Sequence, residues 1–426
     1  MNCSQNEKLN QVTEETLVIG VDIAHETQWA RAFDWRGVEL GKVFRFENSK
    51  EGFKAFDRWV EKLKHSAKKT AVMVGAEPTG HYWFNLASHL KESGMKLVLV
   101  NPHHVKKSKE LDDNHPSKSD RKDPKTIAKL VCEGRYNYPY IPEGVYADLR
   151  SMMECRRRVC KELNQIKNRI QRWLSIYFPE FVKVYCKIDT VSGLLVLENA
   201  PLPEDILTLG TAGLNELWRK SKVKAVGIKK AMSLYEAAQN SVGCHGGNRA
   251  RLELRLLLAD YRIKTEQYAQ IMTEVEKLVE QIPNAEKLMK INGVGLATIA
   301  GFVAEVGDIG RFQSPKQIQK LTGLALRENS SGQNKGQTTL SRRGRARLRA
   351  ILFQAVMPLV AKNPEFMEIH RYYTTRAKNP LKKKQSLMVL CCKLIRVFYA
   401  LLTKGSAYDP LKLVADIHRP AELLAA

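Results

Sequence analysis

Two short apolar runs, LVIGVD at residues 17–22 and TAVMVGAE at residues 70–77, decide how this chain is read. Each is a β-type segment ending in a carboxylate, Asp22 in the first and Glu77 in the second, where a buried strand surfaces into a polar loop. A third run, KLVLV at 96–100, precedes KSDRKDPKT at 118–126, which carries Asp120 and Asp123. Acidic residues at strand ends make a poor core but a good cage for a hard divalent cation. Mg²⁺ takes oxygen ligands and keeps waters that a phosphate can displace.

The order of elements around these runs sets the fold class. Residues 17–24, 28–35 and 38–47 read as three closely spaced strands, with Arg36 and Gly37 as a turn, which predicts an antiparallel meander. Over residues 49–65 the period changes, and Phe53, Phe56, Trp59, Val60 and Leu63 fall at helical spacing. Strand 70–76, helix 82–93 and strand 96–100 then follow as a βαβ unit. A meander feeding helix-crossed strands is the ribonuclease-H-like order, so an α/β domain is expected over residues 1–140.

The rest of the chain is basic. A formal charge of +24 over 426 residues exceeds what solubility requires, and neutralising phosphates while releasing counterions is the usual use of such an excess. A hydrophobic content of 44% with 27% charged residues excludes a disordered chain and leaves room for two to four domains. The eight cysteines show no C-x-x-C pair and no Cys/His ligand spacing, so they read as reduced thiols. MNCSQNEKLNQVTEET carries no basic-then-apolar leader pattern. The stretch SLMVLCCKLIRVFYALL carries Lys393 and Arg396 and is short for a spanning helix, so it reads as a buried helix. The expected partner is a long acidic polymer, with no membrane, and the expected compartment is the cytoplasm, at the nucleoid when bound to DNA.

Residues 145–282 read as mostly helix. Met152, Val159, Ile166 and Trp173 recur every seventh residue with Leu163, Ile170 and Tyr177 beside them, and Arg156 interrupts. Leu254, Tyr261, Tyr268, Val275 and Ile282 repeat that period with Leu257, Ile271 and Leu278, and Lys264 interrupts. The two helices can close as an intramolecular hairpin or serve as a dimerising coiled coil, and a few heptads leave both open. Residues 179–247 read as a small helical insert between them.

From residue 284 to 426, the sequence KLMKINGVGLATIAGFVAEVGDI reads as helix, tight turn at Gly293 and Gly295, and helix. This pattern matches a helix-hairpin-helix, whose second helix offers free N–H groups to a DNA phosphate, although an ordinary αα-hairpin would look similar. From Gln333 to Arg349 there are six basic residues and no acidic one, and the Ser and Gly content ahead of Arg342 reads as loop. From Arg371 to Lys404 there are nine Lys or Arg, again with no acid. Arg327 just ahead of the first segment, Lys335, Arg342, Arg343, Arg345 and Arg347 within it, and Lys382, Lys383 and Lys384 in the second are the expected phosphate contacts.

The motifs GVDIAHETQWARAFD, VGAEPTGHYW, KSDRKD, NGVGLATIAGFVAEVGDIGRF and GLALRENSSGQNKG together resemble the DEDD transposases of the IS110 insertion-sequence family. The resemblance covers nearly the whole chain and joins two separate domains in the family's order. It implies a RuvC-like domain over 1–140, a helical and coiled-coil connector over 145–282, and a C-terminal transposase domain with a nucleophilic serine over 284–426. It further implies Mg²⁺ held by Asp22, Glu77, Asp120 and Asp123, and Ser331 of the SSG motif as nucleophile, with Ser330 as the alternative. Donor and target DNA, a structured bridge RNA and a homodimer or homotetramer are the partners it implies. One departure stands out: Pro124 follows Asp123 where the family usually has Ala. Asp before Pro is also a standard helix start, so Asp123 can cap as well as ligate.

The chemistry is coherent on physical grounds. A serine hydroxyl is a weak nucleophile and needs a base, a metal or positive surroundings before it attacks phosphorus. Arg327, Lys335, Arg342 and Arg343 could offset charge on the pentavalent phosphorus, with a metal polarising its oxygens. Each residue alone has a bland reading, Asp22 and Glu77 as loop charges and Ser331 as a turn former. Two rivals remain. A junction-resolving endonuclease would use metal-activated water and leave the SSG idle; a nonenzymatic nucleic-acid-binding protein would leave the carboxylates idle.

Overall fold

The computed structural model describes residues 5–78, 80–112, 123–224, 226–327, 330–331, 334–336, 338–415 and 417. The chain divides into two compact units, residues 1–141 and 142–426.

The first unit is built on a six-stranded mixed sheet. Its elements run α1 (Gln5–Leu9), β1 (Thr16–Asp22), β2 (Thr27–Phe33), β3 (Phe44–Glu47), α2 (Lys50–Ser66), β4 (Ala71–Ala76), α3 (Trp83–Glu92), β5 (Lys96–Val100), α4 (Pro102–Asp112), α5 (Asp123–Cys132) and β6 (Tyr136–Asn137). The strand order is β3-β2-β1-β4-β5-β6. β1, β2 and β3 pair antiparallel, whereas β1, β4 and β5 are parallel. The expected meander and βαβ unit are therefore both present.

The third strand is shorter than the expected residues 38–47. Gly41 adopts φ +80°, a left-handed conformation that breaks an extended run, and the segment before it rejoins the sheet only through a bridge between Phe33 and Glu39. α2 begins where Ser49 accepts a hydrogen bond from the Gly52 N–H at 3.1 Å, an N-cap worth about 1 kcal/mol.

Two cores flank the sheet. Leu17, Ile19 and Val21 of β1 pack with Phe56 and Val60 of α2 and Leu86 and Leu90 of α3. Val18 packs on the other side with Met73, Val98 and α5 residues Ile127 and Val131. This alternation along β1 is the period of two expected of a strand covered on both faces.

Among its described residues the second unit is mainly helical, with two short strand pairings between Leu326 and Leu340. α6 (Val145–Tyr177) and α11 (Gly247–Glu280) pack along each other and enclose the insert α7 (Phe181–Val184), α8 (Val191–Asn199), α9 (Pro203–Lys220) and α10 (Ile228–Gln239). Ile170 and Trp173 of α6 meet Leu254 and Leu258 of α11 at one end, and Leu149 and Met153 meet Val275 and Val279 at the other, so the pair is antiparallel. The two interruptions in the heptads find partners in the middle of this hairpin. Arg156 lies over the Tyr268 ring at 5.5 Å, and Lys264 pairs with Glu162 at 2.7 Å.

α12 (Ala285–Met289), α13 (Leu296–Val306), α14 (Pro315–Thr322), α15 (Ala346–Lys362), α16 (Pro364–Thr375), α17 (Lys383–Lys404) and α18 (Pro410–Val414) complete the unit. Ile299 and Phe302 of α13, Leu348 and Leu352 of α15, and Leu394 and Phe398 of α17 form its core, with Phe302 and Phe398 edge to face at 5.0 Å. Each such side chain contributes roughly 1.5–3 kcal/mol by burial. α17 is long and apolar enough to cross a membrane by composition, but half of its apolar window is buried in this core. Lys393, counted in the basic run, is also buried there, 6% exposed, with its ammonium donating to the Leu413 carbonyl. Among the described cysteines none forms a disulfide.

Candidate functional site

The carboxylates are placed by two glycines. Gly20 and Gly75 are register partners on the adjacent parallel strands β1 and β4, and each lies two residues before an acid, Asp22 and Glu77. Side chains alternate along a strand, so both acids continue the face on which α5 lies. A Cβ on Gly20 would overlap the Pro124 carbonyl oxygen, and one on Gly75 would stand 2.5 Å from a Val131 methyl. α5 thus sits in a groove that only glycine permits, and its first residue, Asp123, comes to the end of the sheet where β1 and β4 stop.

Asp123 followed by Pro124 does start α5, as that dipeptide predicts. Its carboxylate, 18% exposed, is held by the Lys109 ammonium of α4 at 2.5 Å. Burial pushes the Glu77 carboxyl above its ordinary range; the Lys109 charge opposes this and the Asp123 charge adds to it. Glu77, Asp123 and Lys109 therefore feel one another electrostatically. Asp22, half-buried at the end of β1, is also engaged. Tyr82 packs edge-on against His25 at 5.4 Å, tying together the loops that follow the two strands.

A hard divalent cation suits these donors in kind, because all are carboxylate oxygens and a lysine ammonium already stands among them as positive charge. Among the described residues no three His, Cys, Asp or Glu side chains converge closely enough to hold an ion. Asp120 lies outside the described residues. Lys109 and the two glycines were not singled out from the sequence. The repeated Gly-x-acid spacing in IGVD and VGAE was a legible signal for the glycines; nothing local marked Lys109.

The serine segment is not the open loop that its composition suggested. Leu326 and Arg327 pair with Leu340 and Thr339, and further out Ser330 and Ser331 pair with Lys335 and Asn334. Cross-strand pairing makes a β-ribbon of a Ser- and Gly-rich stretch because its backbone groups are satisfied by each other. Arg327, Arg342 and Arg343 are exposed around its base, and Arg342 holds φ +52°. Lys382, Lys383 and Lys384 are exposed at the start of α17, where a helix dipole disfavours cations. Gly293 turns with φ +96° and Gly295 precedes α13, so the predicted turn between two helices is present.

Arg345 and Arg347 are employed inside the protein. Arg345 donates to the Glu305 carbonyl, and Arg347 pairs with Glu154 of α6 at 2.5 Å and with Glu305 at 3.3 Å. Glu305 itself is only 8% exposed. These cations lock α15 to α13 and α6, so their guanidiniums are not free to face a phosphate as the sequence suggested.

Two family models match the chain. One, of the DEDD type associated with IS110 and described as Transposase, covers residues 19–179; the other, described as Transposase IS116/IS110/IS902 family, covers residues 285–371. The transposase for insertion sequence element IS1111A of Coxiella burnetii is 21% identical over 94% of this chain and 93% of its own length. A probable family 20 transposase of Pseudomonas aeruginosa is 21% identical over 79% of this chain and 86% of its own. A pilin gene-inverting protein of Moraxella bovis is 29% identical over 29% of this chain and 38% of its own.

Proposed function

Because this chain belongs to the IS110 family of DEDD transposases and is a DNA transposase and recombinase, we propose that it breaks and rejoins strands through a covalent phosphoserine on Ser331, with Ser330 as the alternative nucleophile. The observation that supports this most is that one family match spans all four candidate carboxylates in the first unit and the other spans the serine ribbon in the second. The strand order of the first unit agrees with a ribonuclease-H-like, RuvC-like domain. The α12, Gly293, α13 segment agrees with a helix-hairpin-helix that grips duplex backbone.

In this reading the serine Oγ attacks a backbone phosphorus and loses its proton. The bond to the 3′ oxygen breaks, and that oxygen leaves as a hydroxyl once protonated. The 3′ hydroxyl of another strand then attacks the phosphoserine, restores a phosphodiester and returns the serine. The ester conserves the bond, so joining needs no ATP, which separates recombination from hydrolysis. Arg327, Arg342 and Arg343 supply positive charge near the serine ribbon to offset the pentavalent phosphorus. Family membership implies divalent-metal chemistry, and Mg²⁺ on Asp22, Glu77, Asp120 and Asp123 would polarise phosphate oxygens and the leaving oxygen. Asp22 and Glu77 supply ligands from the strand ends, and Asp123 supplies one from the start of α5.

An element-encoded bridge RNA would carry sequence specificity by base pairing. Two strand exchanges require several active sites, so a homodimer or homotetramer, with carboxylates and serine drawn from different subunits, completes the reading, which places the protein in the cytoplasm at the nucleoid. The test is to mix the protein and RNA from its own element with donor DNA, target DNA and Mg²⁺, and to look for a covalent adduct on a denaturing gel. An adduct mapping to Ser331, absent in Ser331→Ala and without RNA, supports the reading. Cleavage with no adduct moves the assignment to a metal-only, resolvase-like nuclease.

A further inference from the structure

The connector hairpin has two unlike outer faces. Between Arg157 and Ser175 the exposed side chains of α6 include five cations, Arg157, Arg158, Lys161, Arg169 and Arg172. The other exposed residues there are the amides Asn164, Gln165, Asn168 and Gln171, with Ser175 at the end. None of these is acidic or apolar, and the first exposed apolar side chain after them on α6 is Ile176, beyond the stripe. The partner helix α11 differs: its exposed positions from Arg249 to Glu280 carry four cations against six acids, and they include Leu252, Leu256 and Ile263. A general excess of charge for solubility would not sort itself onto one helix of a packed pair.

Four of these five charges also lack a carboxylate partner among the described residues. Arg157 pairs with Glu154 at the head of the stripe, but among the described residues no carboxylate pairs with Arg158, Lys161, Arg169 or Arg172. Holding such like charges along one helix face costs stability, and that cost is recovered when an anionic polymer lies across it. From Arg157 to Arg172 the helix rises about 22 Å, which matches about six nucleotides of one strand of B-DNA. Asn and Gln among the cations donate N–H groups to phosphate oxygens without reading sequence.

The position of the stripe gives it direction. Arg347, in the first turn of α15 just after the serine ribbon, donates to the Met153 carbonyl at 3.0 Å and pairs with Glu154, one turn ahead of Arg157. The stripe therefore starts where the ribbon's helix is fastened to α6. We propose that the exposed face of α6 binds the phosphodiester backbone of duplex DNA leading away from the serine ribbon. The proposal rests on the reading of that ribbon as the place of strand exchange, and DNA is the polymer on which the family acts.

The test uses the full chain carrying Ser331→Ala, so that no chemistry affects the readout, and measures binding of a labelled duplex of arbitrary sequence across a salt series. The variant R158Q/K161Q/R169Q/R172Q is compared with R249Q/R255Q/R262Q/K277Q, which removes as many exposed cations from α11. All eight positions are exposed, and a melting curve for each variant is the check that it folds. For the α6 variant, the dependence of log affinity on log salt should become shallower by about 3–4, with roughly tenfold or greater weakening near physiological salt. The α11 variant should change the slope by less than about 1. Equal losses in both variants, or none in either, overturn the proposal. So does weakening toward a structured RNA with duplex binding unchanged, which would make the face an RNA site. Failure of the phosphoserine reading would show instead as a missing adduct in the unsubstituted serine protein and would leave this binding difference standing.

Discussion

Gly20 lies directly beneath Pro124, so close that any Cβ at position 20 would overlap the Pro124 carbonyl oxygen. The contact joins the strand that ends in Asp22 to the helix that begins with Asp123, and so sets the separation of two candidate ligands. Gly20→Ala must push α5 away, because the atom it meets is backbone. We expect a loss of about 2–3 kcal/mol in a urea titration and loss of strand cleavage in whatever folds. An unchanged unfolding midpoint would mean that α5 moves freely and that the glycine has no positioning role.

Lys109 should act as a resident counter-ion for the carboxylates. Replacing it by Met removes the ammonium 2.5 Å from Asp123 and leaves two neighbouring carboxylates unbalanced. Both partners are partly exposed, so the cost is about 1 kcal/mol, a fall of roughly 2–4 °C in Tm. Mn²⁺ should then raise the Tm of Lys109→Met by more than that of the parent. Equal gains from Mn²⁺ would show that Lys109 does not share the cation's place.

The raised Glu77 carboxyl gives a pH dependence of definite sign. A carboxyl whose folded pKa lies above its unfolded value near 4.5 binds a proton more readily in the folded state. Its contribution to stability is therefore best at low pH and declines as pH rises from the unfolded value through the folded one. Above that window ionised Glu77 is a net cost. In chelator-containing buffer Glu77→Gln should be more stable than the parent at neutral pH, and the difference should vanish below about pH 4. A melting difference that does not change with pH would contradict the assignment to ionisation.

Glu305, 8% exposed, joins Arg345 and Arg347 at the root of the helix that follows the serine ribbon. Glu305→Gln leaves two guanidiniums short of a carboxylate, and we expect a loss of about 2 kcal/mol. Glu154→Gln removes the other anion that Arg347 contacts, so the two changes should be non-additive in a double-mutant cycle. Additive losses would mean that the four charges do not form one network.

Much of the first unit was legible because its code is local. The run LVIGVD alternates between two cores, the Phe53 to Leu63 spacing marks a helix, and each apolar segment ends in its own carboxylate. The third strand was overestimated because Gly41 could be a strand interior or a break, and only its positive φ decides. The serine ribbon was read as loop because a pairing of two residues on each side is too short to show a period of two in the sequence.

What the sequence determined by itself was the order of strands and helices, the positions of the acids at strand ends, the excess of positive charge and the heptad faces of α6 and α11. These follow from periodicity and composition, which act over a few residues. The tertiary structure decided which charges are available. Arg345, Arg347 and Lys393 look in sequence like any other cation of a basic run, but they end against Glu305, Glu154 and the Leu413 carbonyl. Lys109 becomes a neighbour of Asp123, and Gly20 of Pro124, only once α4 and α5 have packed at the sheet. The heptads of α6 and α11 could have met another chain; in the fold each buries its seam against the other, which leaves the outer face of α6 free to carry charge. A residue's type fixes its chemistry, while its partners come from elements far away in the chain, and a paired cation and a free one have the same letter.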